Sequence, residues 1–183
     1  VTYDVEEQQL EEQAEQITEG DQAMFISAFA MGQQLAVPTP TVIIHINGKR
    51  AVALLDSGST ISFINQDFVV KANCSMLPVK PRKIVVAGGG ILTSTSVIPN
   101  CQFQISKMTL THSFRTLSLP SHDAILGYDW FTAVSPVSFD IPAQQFSFTH
   151  GGKQTVSTIM FITSASVKEV PAKKLDKFLD KGP

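Results

Sequence analysis

Apolar and polar residues alternate in short runs through the middle of the chain, and runs of this kind predict β-strands. The run at 41–46 is followed by Asn47-Gly48, a strong signal for a two-residue hairpin turn, and 50–55 supplies the returning strand. A second predicted hairpin joins 83–87 to 91–97 across three consecutive glycines, a residue type that readily adopts positive φ. The region is therefore predicted to be built largely from hairpins.

Strand-like runs continue towards the C-terminus, with one exception. They cover 102–105 and 109–117, and a late hairpin joins 145–148 to 155–162. The exception is 129–133, where we predict a short helix. The expected fold class is all-β with one short helix.

The two ends of the chain differ from the middle in charge. Residues 1–20 hold seven acids and no lysine or arginine, and their thin apolar stripe predicts a marginal helix. Lysines recur between apolar residues after Pro171. We therefore divide the chain into an acidic, partly helical leader (1–35), one folded domain (36–166) and a Lys-rich polar tail (167–183).

Charge and cysteine content exclude several classes of protein. A net charge of -2 and a pI near 6.1 leave no basic surface for nucleic acid. The longest apolar stretch, at 23–31, contains Ser27 and is too short to span a membrane. The acidic start is the reverse of a secretory peptide, which indicates a soluble, cytosolic protein. Cys74 and Cys101 are too far apart for a metal or redox motif, so we expect no metal and no cofactor.

The sharpest chemical feature is Leu-Leu-Asp-Ser-Gly-Ser-Thr at 54–60. Only six acids lie between residues 21 and 166, and one of them, Asp56, stands where an apolar strand enters a loop. A carboxylate at the end of a buried strand is costly unless donors meet it, and the hydroxyls and backbone N–H groups of 57–60 supply them. The triplet alone is also consistent with a tight turn capped by Asp56.

A second motif lies at 124–130, where Ala-Ile-Leu-Gly-Tyr-Asp-Trp takes an apolar strand into a glycine and then into the short predicted helix. A glycine at such a junction indicates close packing of the backbone, here at Gly127. Together the two motifs describe a site at the ends of strands within a β domain.

With these motifs in this order, the chain resembles the retropepsin-like aspartic proteases, and specifically the protease region of gag-pol polyproteins of plant gypsy-class LTR retrotransposons. The resemblance is carried by 54–60, by Val-Val-Ala-Gly-Gly-Gly at 85–90 and by 124–130, with Pro-Val-Ser-Phe-Asp trailing at 136–140. It spans about residues 40–160. It implies an acid-protease barrel that cleaves an extended polypeptide.

The chemistry implied by this resemblance requires two carboxyl groups. One takes a proton from water while the other donates to the peptide carbonyl, and two carboxyls about 3 Å apart share a proton because both cannot ionise cheaply. The chain has a single D-[ST]-G triplet and, at 183 residues, is too short for the two-lobed pepsin arrangement. The second Asp56 is therefore expected from another copy, in a C2 homodimer with the active site on its axis.

The resemblance also assigns roles to individual residues. Asp56 of each subunit forms the water-activating pair, and the remaining active-site loop comprises Ser57, Gly58, Ser59 and Thr60. Within that loop the Ser57 hydroxyl braces the opposing subunit and Gly58 lets backbone approach. The hairpin at 83–97 becomes a flap that closes over the peptide. Its tip comprises Ala87, Gly88, Gly89 and Gly90. The residues expected to support the pair from beneath are Ile125, Leu126 and Gly127.

Two positions depart from the family pattern. Retroviral relatives pair an Arg after the glycine that matches Gly127 with an acid just past the catalytic triplet, whereas this chain has Tyr128 and no such acid. Plant relatives carry Asn or Asp where this flap has Gly88. We therefore expect that particular ion pair to be missing and the flap to be looser.

Three alternatives compete with the protease interpretation. A serine hydrolase using Ser57 or Ser59 lacks a G-x-S-x-G elbow and a suitably spaced histidine. A eukaryotic ubiquitin-shuttle protease domain of the same fold normally carries ubiquitin-like or ubiquitin-associated flanks, and neither flank here has the length for one. The most serious alternative is the same fold kept as a catalytically inactive module that binds an extended peptide or has a structural role.

Overall fold

The computed structural model describes residues 24–28, 30–32, 39–87 and 89–162, and all structural statements concern these residues. They form twelve strands and two short helices. In chain order these are β1 (Met24–Ile26), β2 (Thr39–Ile46), β3 (Lys49–Leu55), β4 (Phe63–Asn65), α1 (Gln66–Lys71), β5 (Leu77–Val86), β6 (Ile91–Ile105), β7 (Met108–Leu117), β8 (Ala124–Leu126), α2 (Tyr128–Ala133), β9 (Ser138–Asp140), β10 (Gln145–His150), β11 (Lys153–Thr158) and β12 (Met160–Ile162). The fold is mostly β, as the residue pattern predicts.

Nine of these strands form one sheet in the order β1-β5-β6-β7-β4-β8-β3-β2-β12, and an additional pairing of β6 with β2 closes part of it into a ring. Closure of this kind removes free strand edges. The first part of β6 pairs only with β5, so these two strands form a hairpin beyond the ring. Strand β1 lies on the outer side of that hairpin, parallel to β5.

Both predicted hairpins of the N-terminal half are present. Strands β2 and β3 pair antiparallel, and Asn47 and Gly48 between them have φ of 49° and 74°, as a two-residue turn of this class requires. Strands β5 and β6 pair on either side of the glycine-rich tip, where Gly89 and Gly90 have φ of 125° and 100°. Gly88 lies outside the described residues.

The helix prediction was incomplete. The helix expected at 129–133 is α2, one residue longer at its start, but α1 was not predicted. Six residues are too few for helical periodicity to stand out, and the β-branched pair Val69-Val70 favours a strand. The helix forms because Phe68 and Val69 are buried in the core, while Asp67 and Lys71 suit its positive and negative ends.

Part of the predicted leader is integrated into the sheet. Residues 24–26, within the range 1–35 assigned to the leader, form β1, and Met24 and Ile26 are buried. The remainder of that leader, apart from residues 27–28 and 30–32, and the predicted tail at 167–183 lie outside the described residues. The domain boundaries stay predictions.

Two apolar clusters hold the domain together. The larger one fills the ring and extends to a second sheet, ordered β11-β10-β9, through Trp130, whose ring centroid lies 5.9 Å from that of Phe146 and 5.8 Å from that of Phe148. The smaller one lies between the flap hairpin and the strands below it, and includes Ile84 and Leu117. Each fully buried Leu, Ile or Phe side chain contributes about 1.5–3 kcal/mol to the free energy of unfolding. The space between these strands and the hairpin is where the two sequence motifs meet.

Candidate active site

Asp56 and Gly127 lie side by side because β3 and β8 run parallel and end at the same edge of the sheet. Leu55 at the end of β3 is the register partner of Leu126 at the end of β8. The Asp56 N–H donates to the Leu126 carbonyl at 3.0 Å. Ile125 and Leu126 are fully buried. The two motifs, 70 residues apart in sequence from Leu54 to Ala124, are thus adjacent in the fold.

Gly127 allows the active-site loop to pass directly over β8. A Cβ at this position would lie 2.3 Å from the Ile61 carbonyl oxygen and 2.8 Å from the Ser59 carbonyl oxygen. The Gly127 N–H donates to Ser62 Oγ at 3.0 Å, and the Tyr128 N–H donates to the Ser59 carbonyl at 2.8 Å. The close packing predicted for Gly127 is present, and backbone hydrogen bonds fix the loop against it.

The Asp56 carboxylate is oriented by three donors. The Gly58 N–H donates to Oδ1 at 2.9 Å, the Ser59 hydroxyl donates to Oδ2 at 3.2 Å, and the Ser27 hydroxyl also donates to Oδ2. The side chain remains partly exposed. These contacts hold the carboxylate in one orientation.

The remaining loop residues divide between solvent and β1. Ser57 and Gly58 are exposed, whereas Ser59 is fully buried. The Thr60 N–H donates to the Phe25 carbonyl at 3.0 Å, and the Thr60 hydroxyl oxygen accepts from the Phe25 N–H at 2.9 Å. The exposed pair therefore remains accessible at the surface, whereas Thr60 binds strand β1.

A chain of hydrogen bonds supports the loop from the side of α2. The Ser62 hydroxyl donates to Asp129 Oδ1 at 2.7 Å, and His112 Nε2 lies 2.9 Å from Asp129 Oδ2. Burial of Asp129 favours its neutral form, but His112 and Ser62 outweigh this through hydrogen bonds and, for His112, charge, so the pKa of Asp129 lies below its ordinary value. Because Ser62 also accepts from the Gly127 N–H, the His112–Asp129 pair is connected through Ser62 to the end of β8. The sequence has no Arg–acid pair of the kind that retroviral relatives carry near this loop.

The tip of the β5–β6 hairpin, the predicted flap, is open by comparison. A Cβ on Gly89 or Gly90 would have no atom within 4 Å. The Ala87 N–H donates to the Ile26 carbonyl at 3.0 Å, so the base of the tip contacts β1.

Among the described residues, no group of His, Cys, Asp and Glu side chains is arranged to hold a metal ion. None of the helices in the described ranges has the length and apolarity to cross a membrane.

Comparison with known proteins identifies the family. The retroviral aspartyl protease family matches residues 23–154. This chain belongs to that family. No curated protein matches it. Among solved structures, the retroviral protease-like domain of Ddi1 from Leishmania major is similar, with 15% sequence identity over 74% of this chain and 100% of that chain, and a TM-score of 0.47.

The match to the retroviral aspartyl proteases begins before β1, so the N-terminal strand lies within the family region. Within this domain the sequence motifs singled out Asp56 and Gly127, which the fold brings together, and missed the groups that are hydrogen-bonded around them. Ser27 and His112 carry no motif, and each reaches its partner carboxylate only through the fold. A polar residue within the apolar stretch at 23–31 is the one signal that singles out Ser27.

His122 is a further ionisable group close to the aspartyl protease loop. Its Nδ1 is buried and has no hydrogen-bond partner among the described residues. Burial lowers the pKa of His122, and the carboxylates of Asp123 and Asp56 partly oppose this effect. At neutral pH the imidazole is therefore uncharged.

Proposed function

We propose that this domain is an aspartic endopeptidase that acts as a C2 homodimer, with Asp56 of each subunit forming the catalytic pair. The observation that carries the proposal is the strand-end loop in which Gly58 and Ser59 orient a single carboxylate above Gly127. One chain offers one such carboxylate, because the sequence has a single D-[ST]-G triplet. The exposed Ser57 and Gly58 are the parts of the loop that a second copy would contact.

In this mechanism one Asp56 is ionised and the other protonated. The ionised carboxylate takes a proton from a water molecule, whose oxygen attacks the peptide carbonyl, while the protonated carboxyl donates its proton to the carbonyl oxygen. The tetrahedral diol then collapses as the C–N bond breaks: one hydroxyl gives its proton to the ionised carboxylate, and the carboxyl that took the proton from water gives that proton to the leaving nitrogen. No covalent intermediate forms, and the two pKa values belong to the pair.

The proposed substrate is an extended polypeptide, and specifically the polyprotein of an LTR retroelement of the gypsy class. This finer assignment is supported by the resemblance carried by 54–60, 85–90 and 124–130. It places the activity in the cytoplasm or in virus-like particles assembled there. It requires no nucleic acid, membrane or cofactor for the cleavage step.

An inactive peptide-binding module is the second candidate. It is favoured by one contact, the Ser27 hydroxyl on the Asp56 carboxylate, because that contact occupies the group that would activate water. Such a module would bind an extended peptide through main-chain hydrogen bonds without cutting it.

The test is digestion of a peptide library at mildly acidic pH, with cleavage products identified by mass spectrometry. The wild-type protein is compared with Asp56→Asn and with Asp67→Asn, which makes the same change at an exposed carboxylate of α1. The proposal expects cleavage by the wild type and by Asp67→Asn, and at least about 10³-fold less by Asp56→Asn. Equal cleavage by all three, or by none at any protein concentration, would contradict it.

A further inference from the structure

Residues 24–28 lie between the flap hairpin and the Asp56 loop. On the flap side, β1 runs parallel to β5, with Met24 opposite Ile84 and Ile26 opposite Val86. Beyond the end of this register, the Ala87 N–H donates to the Ile26 carbonyl at 3.0 Å. The segment is thus paired as an additional strand on the edge of the flap hairpin.

On its other side the same segment is bound by the active-site loop. The Phe25 carbonyl accepts from the Thr60 N–H at 3.0 Å, and the Phe25 N–H donates to the Thr60 hydroxyl oxygen at 2.9 Å. The Ser27 N–H donates to Ser59 Oγ at 3.2 Å, and the Ser27 hydroxyl donates to the Asp56 carboxylate. The segment is extended, is hydrogen-bonded through its main chain on both sides, and places a hydroxyl on the Asp56 carboxylate. A peptide bound by strand addition would be held in the same way.

The side chains of this segment alternate as a captured peptide requires. Met24 and Ile26 are 6% and 0% exposed and belong to the apolar cluster with Ile84 and Leu117, whereas Phe25 between them is 44% exposed. The groove therefore accepts aliphatic side chains at every second position and leaves the intervening one to solvent.

We propose that residues 24–28 are an intramolecular occupant of the peptide groove, and that a substrate must displace them before Asp56 can act on it. That residues 24–28 occupy the groove is argued from their contacts alone. That they must be displaced before cleavage rests on the proposed function. It also defines the substrate class: extended peptides with aliphatic side chains at alternate positions and a small hydroxyl residue next to Asp56.

The geometry makes the displacement reversible. Strand β1 has three residues and pairs with one strand only, at the outer edge of the sheet. A tethered segment of this kind competes at an effective concentration in the millimolar range, so a free peptide binds far more weakly than it would to an empty groove. Holding β1 in place should then block binding, and weakening its anchor should favour it.

A reversible cross-link tests the first expectation. Phe25 and Val85 are register partners in β1 and β5, and neighbouring strands have the spacing that a disulfide spans. Peptide binding by the double variant Phe25→Cys/Val85→Cys is measured in its oxidised and in its reduced form. Mass spectrometry verifies that the disulfide bond has formed in the oxidised form. The oxidised wild type controls for the native thiols of Cys74 and Cys101.

The probe is a fluorescein-labelled peptide with the sequence of residues 20–32, Gly-Asp-Gln-Ala-Met-Phe-Ile-Ser-Ala-Phe-Ala-Met-Gly, followed by anisotropy. A peptide with serine in place of Met24 and Ile26 is the matched control. The reduced protein should bind the probe at least about tenfold more tightly than the oxidised protein, and more tightly than it binds the control peptide. Equal binding by both forms, no binding by either, or failure of the cysteines to cross-link would overturn the proposal.

The second expectation is tested in the chain itself with Ile26→Ser. This change removes the buried anchor of β1, and it should strengthen binding of the probe by about tenfold relative to wild type. Circular dichroism verifies that the variant is folded. If the folded variant binds the probe no more tightly than the wild type, residues 24–28 do not occupy the groove and the proposal is overturned. Loss of peptide cleavage by every form of the protein would instead contradict the proposed function, and would leave the binding results to decide the occupancy.

Discussion

Glycine serves opposite purposes at the end of β8 and at the tip of the β5–β6 hairpin. At Gly127 the backbone has an ordinary extended conformation, with φ of -91°, but a Cβ would overlap the Ile61 carbonyl. At Gly89 and Gly90 there is open space, but φ of 125° and 100° excludes most other residues. The loop at 56–60 is thus packed directly against Gly127, whereas the hairpin tip is closed by backbone hydrogen bonds between Val86 and the two glycines, with open space around them. The difference indicates a loop held in place by close packing and a hairpin tip with room around it.

The largest effect is expected from Gly127→Ala. The added methyl group meets backbone atoms of Ile61 and Ser59, which have no flexible side chain to give way, so the loop must move. We expect a loss of about 3 kcal/mol or more in the free energy of unfolding, together with loss of peptide cleavage. Urea denaturation measures the first and the library digestion the second. Wild-type stability and cleavage in this variant would show that contact does not fix the loop.

The next largest effect is expected from Asp129→Asn. The change weakens the hydrogen-bonded chain from His112 through Asp129 to Ser62 and Gly127. Removing one charged partner from a largely buried network costs about 1–3 kcal/mol of unfolding free energy, measured at neutral pH. Asp67→Asn, at an exposed carboxylate, is the control and should have little effect.

The pH dependence of stability distinguishes the charge of Asp129 from its shape. Because the pKa of Asp129 is lowered by folding, its contribution is complete above the unfolded pKa and is lost as the pH falls through the folded pKa. The difference in stability between the wild type and Asp129→Asn should therefore shrink towards strongly acidic pH. A difference that stays constant with pH would assign the effect to shape rather than charge.

His122 should make the catalytic side of the groove sensitive to mild acid. Folding lowers its pKa below the ordinary value of 6.5, so its neutral form stabilises the fold fully above about pH 6.5, and this stability is lost as the pH falls below it. We expect the wild type to lose more melting temperature than His122→Gln between about pH 7 and about pH 5. Parallel loss in the two proteins would exclude His122 as the cause.

The smallest effect is expected from Gly89→Ala in the flap. Its methyl group has no steric conflict, so only the strained φ opposes it, at a cost of about 1 kcal/mol in an exposed turn. The urea midpoint should change little, while the KM for a cleaved peptide should rise because the tip no longer closes in the same shape. A loss as large as that of Gly127→Ala would abolish the contrast between loop and flap.

The parts of the fold that sequence could predict are local or carried by motifs. Asn47-Gly48 specifies its own turn, and the apolar run within 50–55 predicts the strand that ends at Asp56. Gly127 could be identified because a glycine between an apolar strand and a helix indicates that another backbone segment packs against it. These signals act over a few residues, and they locate both the candidate catalytic group and its support.

The parts that were missed depend on contacts between distant segments. Helix α1 is stabilised by burying Phe68 and Val69 rather than by its own propensity. Ser27 reaches Asp56 across 29 positions, and His112 reaches Asp129 across 17. No periodicity encodes such pairs, so the occupied groove and the His112–Asp129 support emerge only once the sheet is assembled.

The central claim is that two copies of Asp56 form one active site, and mixing subunits tests it most directly. Wild-type protein at a concentration that saturates its specific activity is incubated with a tenfold excess of Asp56→Asn, and its cleavage rate is compared with that after adding the same mass of albumin. Exchange of subunits should lower the rate about tenfold, because nearly every wild-type subunit then pairs with an inactive one. An unchanged rate would show that a single chain is sufficient and would contradict the shared active site.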